Sequence, residues 1–371
     1  MKIIYENLYI PPELELSIRS SKAIQPYFRA GFDGIKPKNY CGFFAIDTQN
    51  YFIAPKITHS DRDNLDIFIY MLIYVYDIPI SNPQLVEASS MGHRVFELFI
   101  RFFADTLLKE LKRGVFKSYI TKEENLKSLK GKYLVEKNLS NFYNQNIYCE
   151  FDEFSEDNLL NQFFLYAIGV FKHFSNYKNL HRCEMMLSGV AVRVFEYDRF
   201  EFVFDRMSQR YKESFDVAMV ILKRLTPLTD KRDEKSFGFL FDMGVVFEKF
   251  VAKLYQEIYP DTQIQSTDRF NDLHLKPDII TPHLIIDTKY KNISKDGIKR
   301  DDKYQMFVYG INFDIEDTML LYPKHLVDID DRLRLGEKEK MINMRVKSLD
   351  LGFDGGYRDY IEVMRERIKE I

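Results

Sequence analysis

Apolar and polar positions follow two different periods along the 371-residue chain. Up to about residue 58 the apolar runs are short, and Cys41–Pro55 contains two of them around Asp47–Asn50, a pattern typical of a β-hairpin. From Asp61 onward, apolar residues recur at i, i+3 and i+4, which predicts helices over Asp61–Tyr76 and Gln84–Lys112. The chain is therefore predicted to begin with strands and to continue with helices.

The rest of the chain adds more helices and then a mixed pattern. Helices are predicted at about Glu156–Phe174 and, with interruptions, over Ala191–Arg224. The polar segment Thr226–Asp233 contains a Pro and predicts a domain boundary. Beyond it we expect, in order, a helix over Phe237–Tyr259, two or three short strands within Gln263–Tyr290, a helix at about Asp301–Phe313, a strand, and a final helix from Tyr357.

This order predicts an α+β multidomain protein. Its regions are a β-rich N-terminal region (residues 1–60), a mainly helical region (61–228) and a C-terminal α/β region (229–371). The hydrophobic content of 46% and aromatic content of 15% supply enough apolar area for packed cores. The formal net charge of -3 argues against a strong autonomous DNA binder, but not against a nuclease that a partner delivers to DNA. The lysine-rich stretch Lys109–Lys137 is more consistent with a solvated basic face than with a DNA track.

Several classes of protein are disfavoured by what the sequence lacks. Cys41, Cys149 and Cys183 are far apart and form no CxxC pair, so neither a zinc site nor a disulfide framework is indicated. The longest apolar run, Ile67–Tyr76, is too short to span a bilayer, and we expect a cytoplasmic protein. No Walker A, HExxH or GxSxG motif occurs, which disfavours NTPases, zinc peptidases and serine hydrolases.

The segment Lys276–Tyr290 carries the strongest chemical signal. Two apolar strand-like runs are joined by Thr281-Pro-His, and strand alternation turns Asp287 and Lys289 to the same side. If the runs pair as an antiparallel hairpin, Asp278 lies beside Asp287. Two carboxylates beside an ammonium suit a hydrolytic Mg²⁺ site, in which the lysine orients or deprotonates a water and stabilises developing negative charge.

The bare triplet of acid, any residue and lysine has little specificity. Asp233-Glu-Lys235, Asp301-Asp-Lys303 and Glu110-Leu-Lys112 also match it, and Pro260-Asp261 is a second Pro-Asp pair. Only Asp278 and Asp287 fall in consecutive β-like apolar runs, where a buried acid is costly without a partner or a metal. The alternative is an ordinary hairpin whose acids form surface salt bridges.

Three more residues are candidates for supporting roles. Glu248 interrupts an otherwise apolar helical stripe and is a candidate metal ligand with Asp278 and Asp287, although a salt-bridged glutamate is the simpler alternative. Gln305 and Tyr309 are four positions apart on one helix face. They can reach a phosphate or the attacking water, but helix packing alone also explains their spacing.

These motifs, taken in order, resemble the McrC family, the nuclease subunit of McrBC and LlaJI-type restriction systems. The resemblance covers nearly the full length and rests on the order and spacing of the pieces more than on any one. They are Lys38–Phe44, Ile53–Ile57, Gly114–Tyr119, Leu129–Lys132, Cys149–Asn158, Phe247–Phe250, Pro277-Asp278, Asp287-Thr-Lys289 and Tyr304–Tyr309.

The resemblance implies a C-terminal PD-(D/E)XK endonuclease domain with Asp278, Asp287 and Lys289 as catalytic positions and Mg²⁺ as cofactor. It also implies that the N-terminal half docks on, and stimulates, a McrB-like AAA+ GTPase ring, which uses the GTP and recognises double-stranded DNA. Thr288 replaces the small residue often found between acid and lysine, and we expect its side chain to face away from the site. The alternatives are a non-catalytic adaptor that activates an AAA+ NTPase and a RecB- or Cas4-like iron–sulfur nuclease, which the scattered cysteines disfavour.

Overall fold

The computed structural model describes residues 2–46, 49–58, 60–78, 93–141, 145–225, 237–291, 297–324, 328–337 and 340–371. The strands are β1 Lys2–Tyr5, β2 Phe28–Gly31, β3 Gly34–Pro37, β4 Tyr40–Ile46, β5 Gln49–Ala54, β6 Ser118–Leu126, β7 Lys132–Tyr133, β8 Ile147–Ser155, β9 Phe237–Asp242, β10 Gln263–Ile264, β11 Asp268–Phe270, β12 Leu273–Leu275, β13 Ile279–Ile280, β14 Ile285–Thr288, β15 Asp317–Pro323, β16 Asp330–Glu337 and β17 Lys340–Leu349. The α-helices are α1 Pro12–Ser20, α2 Asp61–Val75, α3 His93–Lys112, α4 Val135–Leu139, α5 Leu159–Lys172, α6 Lys178–Met186, α7 Lys212–Arg224, α8 Met243–Ile258, α9 Arg300–Phe313 and α10 Tyr357–Glu370.

The chain forms two compact units. The larger unit combines Met1–Phe96 with Arg224–Ile371, and the smaller unit is Glu97–Lys223. This grouping differs from the three consecutive segments 1–60, 61–228 and 229–371, because β9 pairs with β4 and so joins the C-terminal part to the N-terminal strands. As a functional division the three segments stay a prediction, and the boundary expected at Thr226–Asp233 lies outside the described residues.

The N-terminal sheet of the larger unit has the strand order β1-β5-β4-β9. The predicted hairpin is confirmed by the antiparallel pairing of β4 with β5, in which Phe43 faces Phe52, while its turn residues 47 and 48 lie outside the described residues. β1 adds in parallel to β5. Both β4 and β5 are almost wholly buried, so this sheet is a core element of the unit.

The prediction of one helix over Phe237–Tyr259 is wrong for its first six residues, which form β9. Alternating aromatic residues favour a strand there, and pairing with β4 satisfies its backbone. Asp242 ends the strand and caps the helix, because its side chain accepts a hydrogen bond of 2.8 Å from the Gly244 amide. Helix α8 then buries its apolar face, including Phe247 and Phe250.

A second sheet of the larger unit has the order β10-β13-β14-β15-β17-β16. β14, β15 and β17 run parallel, and the pairs at either end are antiparallel. Helix α9 packs against this sheet and contributes the buried Met306 and Tyr309 to its core. The sequence therefore underestimated the strands after Phe313, because it predicted one where the structure has β15, β16 and β17.

The smaller unit contains a three-stranded sheet in the order β6-β8-β7 and the helices α5, α6 and α7. The predicted helix at about Glu156–Phe174 is confirmed as α5, whose buried face includes Phe163 and Phe164. The helix predicted from Ala191 is wrong up to residue 208, where the chain is irregular and Phe195 and Phe200 pack on Phe163. These aromatic contacts attach a largely exposed, irregular segment to the core of the smaller unit.

The remaining helices agree with their predictions. α2 and α9 match the helices predicted from Asp61 and at about Asp301–Phe313. α3 matches the predicted helix Gln84–Lys112 from His93 onward, and residues 84–92 lie outside the described residues. Cys41, Cys149 and Cys183 are buried free thiols. Within the part of the chain that the structure describes, no helix has the length and apolarity needed to cross a membrane.

Candidate active site

The hairpin of β13 and β14 positions the central residues of the site. Ile279 pairs with Ile286 in antiparallel register, and continuing this register sets Asp278 opposite Asp287. Asp287 lies within β14 and is only 2% exposed, while Asp278 is half-buried just before β13. The structure therefore brings together the two aspartates that the sequence singled out.

Lys289 joins the aspartates from the same side of β14. Its Nζ lies 2.5 Å from Asp287 Oδ2, and its side chain is 26% exposed, whereas the side chain of its partner is buried. Burial lowers the pKa of Lys289, but the charge and hydrogen bond of Asp287 outweigh that effect and raise it. Lys289 is therefore held in its charged form beside the carboxylates.

The surroundings of the Asp287 carboxyl disfavour its charged form. Burial and the neighbouring charge of Asp278 raise its pKa to about 6, and Lys289 opposes that shift only in part. Its Oδ2 atom is buried and lies against the Lys289 ammonium. A buried carboxylate in this condition is stabilised by additional positive charge.

Gln305 and Tyr309 of helix α9 both belong to the site. Gln305 Nε2 donates to Asp287 Oδ1 at 3.1 Å and to the Tyr309 hydroxyl at 2.8 Å, and its Oε1 accepts from Lys289 Nζ at 3.1 Å. The Tyr309 hydroxyl in turn donates to the Lys276 carbonyl at 3.1 Å. Packing alone does not account for these contacts, because Gln305 links the acid and the ammonium directly.

Glu248 projects from helix α8 towards the same region. Burial and the charge of Asp278 raise its pKa, and Gln265 Nε2 donates to its Oε1 at 2.5 Å. The backbone amide of Gln265 also donates to the backbone carbonyl of Asp278 at 2.9 Å. Glu248 is thus an electrostatic neighbour of Asp278 rather than a residue of the hairpin, and its role as a metal ligand stays a prediction.

Thr288 and Gln265 are contacts of the site that the sequence did not indicate. The expectation that Thr288 faces away is wrong, because its amide and its Oγ1 both donate to Asp278 Oδ2, at 2.7 and 2.8 Å. These two bonds fix the Asp278 carboxyl against β14. No sequence signal predicted this contact, since strand alternation by itself places Thr288 on the opposite side.

The competing motifs that fall within the described residues do not assemble such a site. Asp301–Lys303 lies in the first turn of α9, Glu110–Lys112 lies in α3, and Asp233–Lys235 falls outside the described residues. Asp261 lines a separate cavity of about 440 Å³ with Asp268 and Phe270. Of the candidate triplets, the structure thus supports Asp287–Lys289 with Asp278.

The donor set of the site fits a hard divalent cation in part. Mg²⁺ is commonly held by one or two carboxylates together with water, and Asp278 and Asp287 supply such a pair. However, no group of three or more His, Cys, Asp or Glu side chains among the described residues is arranged to hold a metal ion. The predicted set of Asp278, Asp287 and Glu248 as metal ligands therefore stays a prediction, in which the two aspartates are neighbours across the hairpin.

The stretch Lys109–Lys137 is largely paired with acids of the smaller unit. Lys122 contacts Glu153 at 2.5 Å, Lys132 contacts Glu150 at 3.2 Å, and Lys137 forms an ion pair with Glu123. Strand β8 supplies two of these acids, Glu150 directly opposite Lys132 and Glu153 diagonally across from Lys122. This pairing fits the solvated basic face expected from the sequence better than a DNA track.

Comparison with known proteins gives one family and a related fold. Residues 35–323 match the family described as McrBC 5-methylcytosine restriction system component. A chain of the structure described as "Refined half-complex from tetradecameric assembly of Thermococcus gammatolerans McrB AAA+ hexamers with bound McrC" has a TM-score of 0.62 and 20% identity, covering 99% of this chain and 99% of that chain. A chain of the "Cryo-EM structure of the Thermococcus gammatolerans McrBC complex" has a TM-score of 0.48 and 22% identity, covering 69% and 87%. No curated protein matches the sequence.

Proposed function

Because the chain belongs to the family of McrBC 5-methylcytosine restriction system components, we propose that it is the Mg²⁺-dependent endonuclease subunit of a GTP-dependent restriction system. The observation that carries this proposal is the proximity of Asp278, Asp287 and Lys289 at the hairpin, where their charges interact. The α/β part of the larger unit is then a PD-(D/E)XK nuclease domain. Its substrate is the phosphodiester backbone of double-stranded DNA.

The residues of the site have separate tasks in this reaction. Asp278 and Asp287 would hold the cation, which when bound supplies a water of lowered pKa and neutralises charge on the scissile phosphate. Lys289 remains charged beside them and stabilises the negative charge that develops during attack. Gln305 keeps the Lys289 ammonium and the Asp287 carboxylate at a fixed separation, and Tyr309 orients Gln305.

We further infer that the chain docks on a McrB-like AAA+ GTPase ring and stimulates it. The matched relative is described as McrC bound to McrB AAA+ hexamers, and the fold similarity spans both chains almost completely. The net charge of -3 and the ion-paired lysines of the smaller unit support a division of labour in which the partner supplies DNA affinity and uses the GTP.

The test is cleavage of plasmid DNA by the chain assembled with its GTPase ring, GTP and Mg²⁺. Asp287→Ala and Lys289→Ala should each lower the cleavage rate by about 10²-fold or more, because the first removes a ligand of the cation and the second removes the positive charge that stabilises the reacting phosphate. GTPase stimulation should survive in both. Asp301→Ala is the matched control, since it removes an exposed acid from a competing triplet and should cut like the parent.

The non-catalytic adaptor remains the second candidate, and the lack of a three-donor metal group among the described residues is the observation in its favour. It predicts that the parent stimulates the GTPase but never cuts DNA at any Mg²⁺ concentration. Cleavage by Asp287→Ala at the parent's rate would refute the assignment of the site.

A further inference from the structure

A buried carboxyl from the N-terminal strand region (residues 1–60) contacts the chain beside the candidate active site. Glu6 follows β1 and is 3% exposed. Its Oε1 accepts a hydrogen bond of 2.5 Å from the hydroxyl of Tyr290, 284 positions away, and a longer one of 3.4 Å from the Lys56 amide. Tyr290 is the residue after Lys289, so this contact touches the chain next to the proposed catalytic lysine.

The main chain and the ring of Tyr290 are held as well. Asn39 Nδ2 donates to the Tyr290 carbonyl at 3.1 Å, and Asn7 Nδ2 orients Asn39 by donating to its Oδ1 at 2.9 Å. The ring packs on Phe247 of α8 with centroids 6.0 Å apart. Residues from the N-terminal strand region therefore hydrogen-bond both the hydroxyl and the backbone carbonyl of Tyr290.

These contacts occur just after the end of strand β14. β14 ends at Thr288, and the Lys289 amide makes one further bond, of 2.9 Å, to the Leu321 carbonyl of β15. Beyond that bond, the Lys289 carbonyl accepts from the Lys291 amide at 3.1 Å, and the next residue, Tyr290, is anchored by the contacts described above. Small displacements of a catalytic group have large effects on rate, so an anchor at this position has functional weight.

Folding alone is a poor explanation for a carboxyl at this position. Burial raises the pKa of Glu6 to about 7 even though the bond from Tyr290 lowers it. A buried carboxyl is more costly than an apolar side chain of similar size, which needs no hydrogen-bond partner. Besides its contacts with the Lys56 amide and the Cys41 thiol, the carboxyl provides a short-range acceptor for the Tyr290 hydroxyl.

We propose that Glu6 is a positioning residue of the nuclease site, and that its hydrogen bond with Tyr290 fixes the backbone of Lys289. The inference rests on the proposed function, because it assigns Lys289 a part in cleavage. Glu6 acts through Tyr290 and touches neither DNA nor metal. The N-terminal strand region thereby contributes to catalysis in addition to any contact with a partner.

The first experiment measures DNA cleavage by the assembled complex. Tyr290→Phe and Glu6→Leu should lower kcat at least about tenfold with little change in KM, because the substrate still binds while Lys289 is misplaced. Glu6→Gln should recover most of kcat, since its side-chain oxygen still accepts from Tyr290. Tyr70→Phe is the matched control, because it also removes one phenolic hydroxyl. That hydroxyl lies away from the site and donates to the Gly355 carbonyl at 3.0 Å.

The second experiment measures amide hydrogen exchange in the free chain, without metal or partner. Exchange of the Lys289 and Lys291 amides should be faster in Tyr290→Phe and Glu6→Leu than in the parent, and unchanged in Tyr70→Phe and Glu6→Gln. If Glu6→Leu does not fold, Tyr290→Phe carries the test, because it removes a single oxygen.

The outcomes separate this inference from the proposed function. A parent complex that cuts no DNA overturns the proposed function. A parent that cuts, with Tyr290→Phe and Glu6→Leu cutting at its rate and exchanging as it does, overturns only the positioning role. A fall in rate in Tyr70→Phe equal to that in Tyr290→Phe would likewise overturn it, since any lost hydroxyl would then have the same effect.

Discussion

Asp287 and Lys289 share one ion pair but differ in exposure, and the difference separates their tasks. Asp287 is 2% exposed, whereas the Lys289 side chain is 26% exposed. A buried acid with a raised pKa gains most from a bound cation, and a partly exposed ammonium is the group that an incoming phosphate can meet. Thr288 and Gln305 hold these groups in place through hydrogen bonds to Asp278, Asp287 and Lys289.

At the same scale, Glu6→Gln should change how stability depends on pH. The pKa of Glu6 is about 7 in the folded chain against 4.5 as its ordinary value, so between these values the folded state binds more protons than the unfolded state. The stability that the protonated carboxyl provides is complete below pH 4.5 and is lost as pH rises through 7. Gln does not titrate, so the melting temperature of Glu6→Gln relative to the parent should be higher at pH 8 than at pH 5.

The control is Glu13→Gln, which removes an exposed carboxyl of α1 and should give nearly the same difference at both pH values. A difference for Glu6→Gln that shrinks as pH rises would contradict the prediction.

At the scale of elements, the pairing of β4 with β9 joins the two ends of the larger unit, and Gly42 permits it. Gly42 has φ +136, and a Cβ there would lie 2.3 Å from the Phe239 carbonyl oxygen of β9. Since that contact is with backbone, no side-chain rotation relieves it. Gly42 is therefore required both for its own conformation and for the close approach of β9.

Gly42→Ala should destabilise the larger unit by about 3 kcal/mol, through backbone strain and the displaced strand. The measurement is thermal unfolding followed by circular dichroism. Gly169→Ala is the control, because nothing lies within 4 Å of a Cβ at that position. It sits in helix α5, where alanine favours the helix by up to about 1 kcal/mol. A Gly42→Ala protein that melts at or above the parent's temperature would show that β9 tolerates the shift.

At the scale of the whole molecule, the C-terminal part is not an independent body. Its helix α8 packs on α2, where the ring of Phe250 contacts the ring of Tyr74. Its strand β9 completes the N-terminal sheet. The smaller unit, by contrast, has its own aromatic core around Phe163 and its own three-stranded sheet.

A fragment of residues 229–371 should therefore fail to unfold cooperatively, because β9 and the apolar face of α8 would lack their partners. A fragment of residues 97–223 should give a cooperative melt, since its core is internal. Near-ultraviolet circular dichroism and denaturant titration of both fragments provide the measurement. Native-like tertiary signal in the 229–371 fragment would contradict this division of the molecule.

The sequence alone determined the features that depend on short-range periodicity. Strand alternation placed Asp287 and Lys289 on one side, and helical spacing predicted α2, α9 and the shared face of Gln305 and Tyr309. The hairpin that sets Asp278 opposite Asp287 also followed, because its two strands are separated by only a few residues. These features need no information about distant parts of the chain.

Only the tertiary structure decided which distant segments meet. Phe237–Asp242 is a strand because β4, some two hundred positions earlier, offers it an unpaired edge, and the Glu6–Tyr290 bond spans 284 positions. Neither contact can be predicted from the spacing of residues in the sequence, because that spacing does not show which distant strand edge or carboxyl will be the partner. The surroundings of Lys289 therefore depend on residues of the N-terminal strands that lie far from it in the sequence.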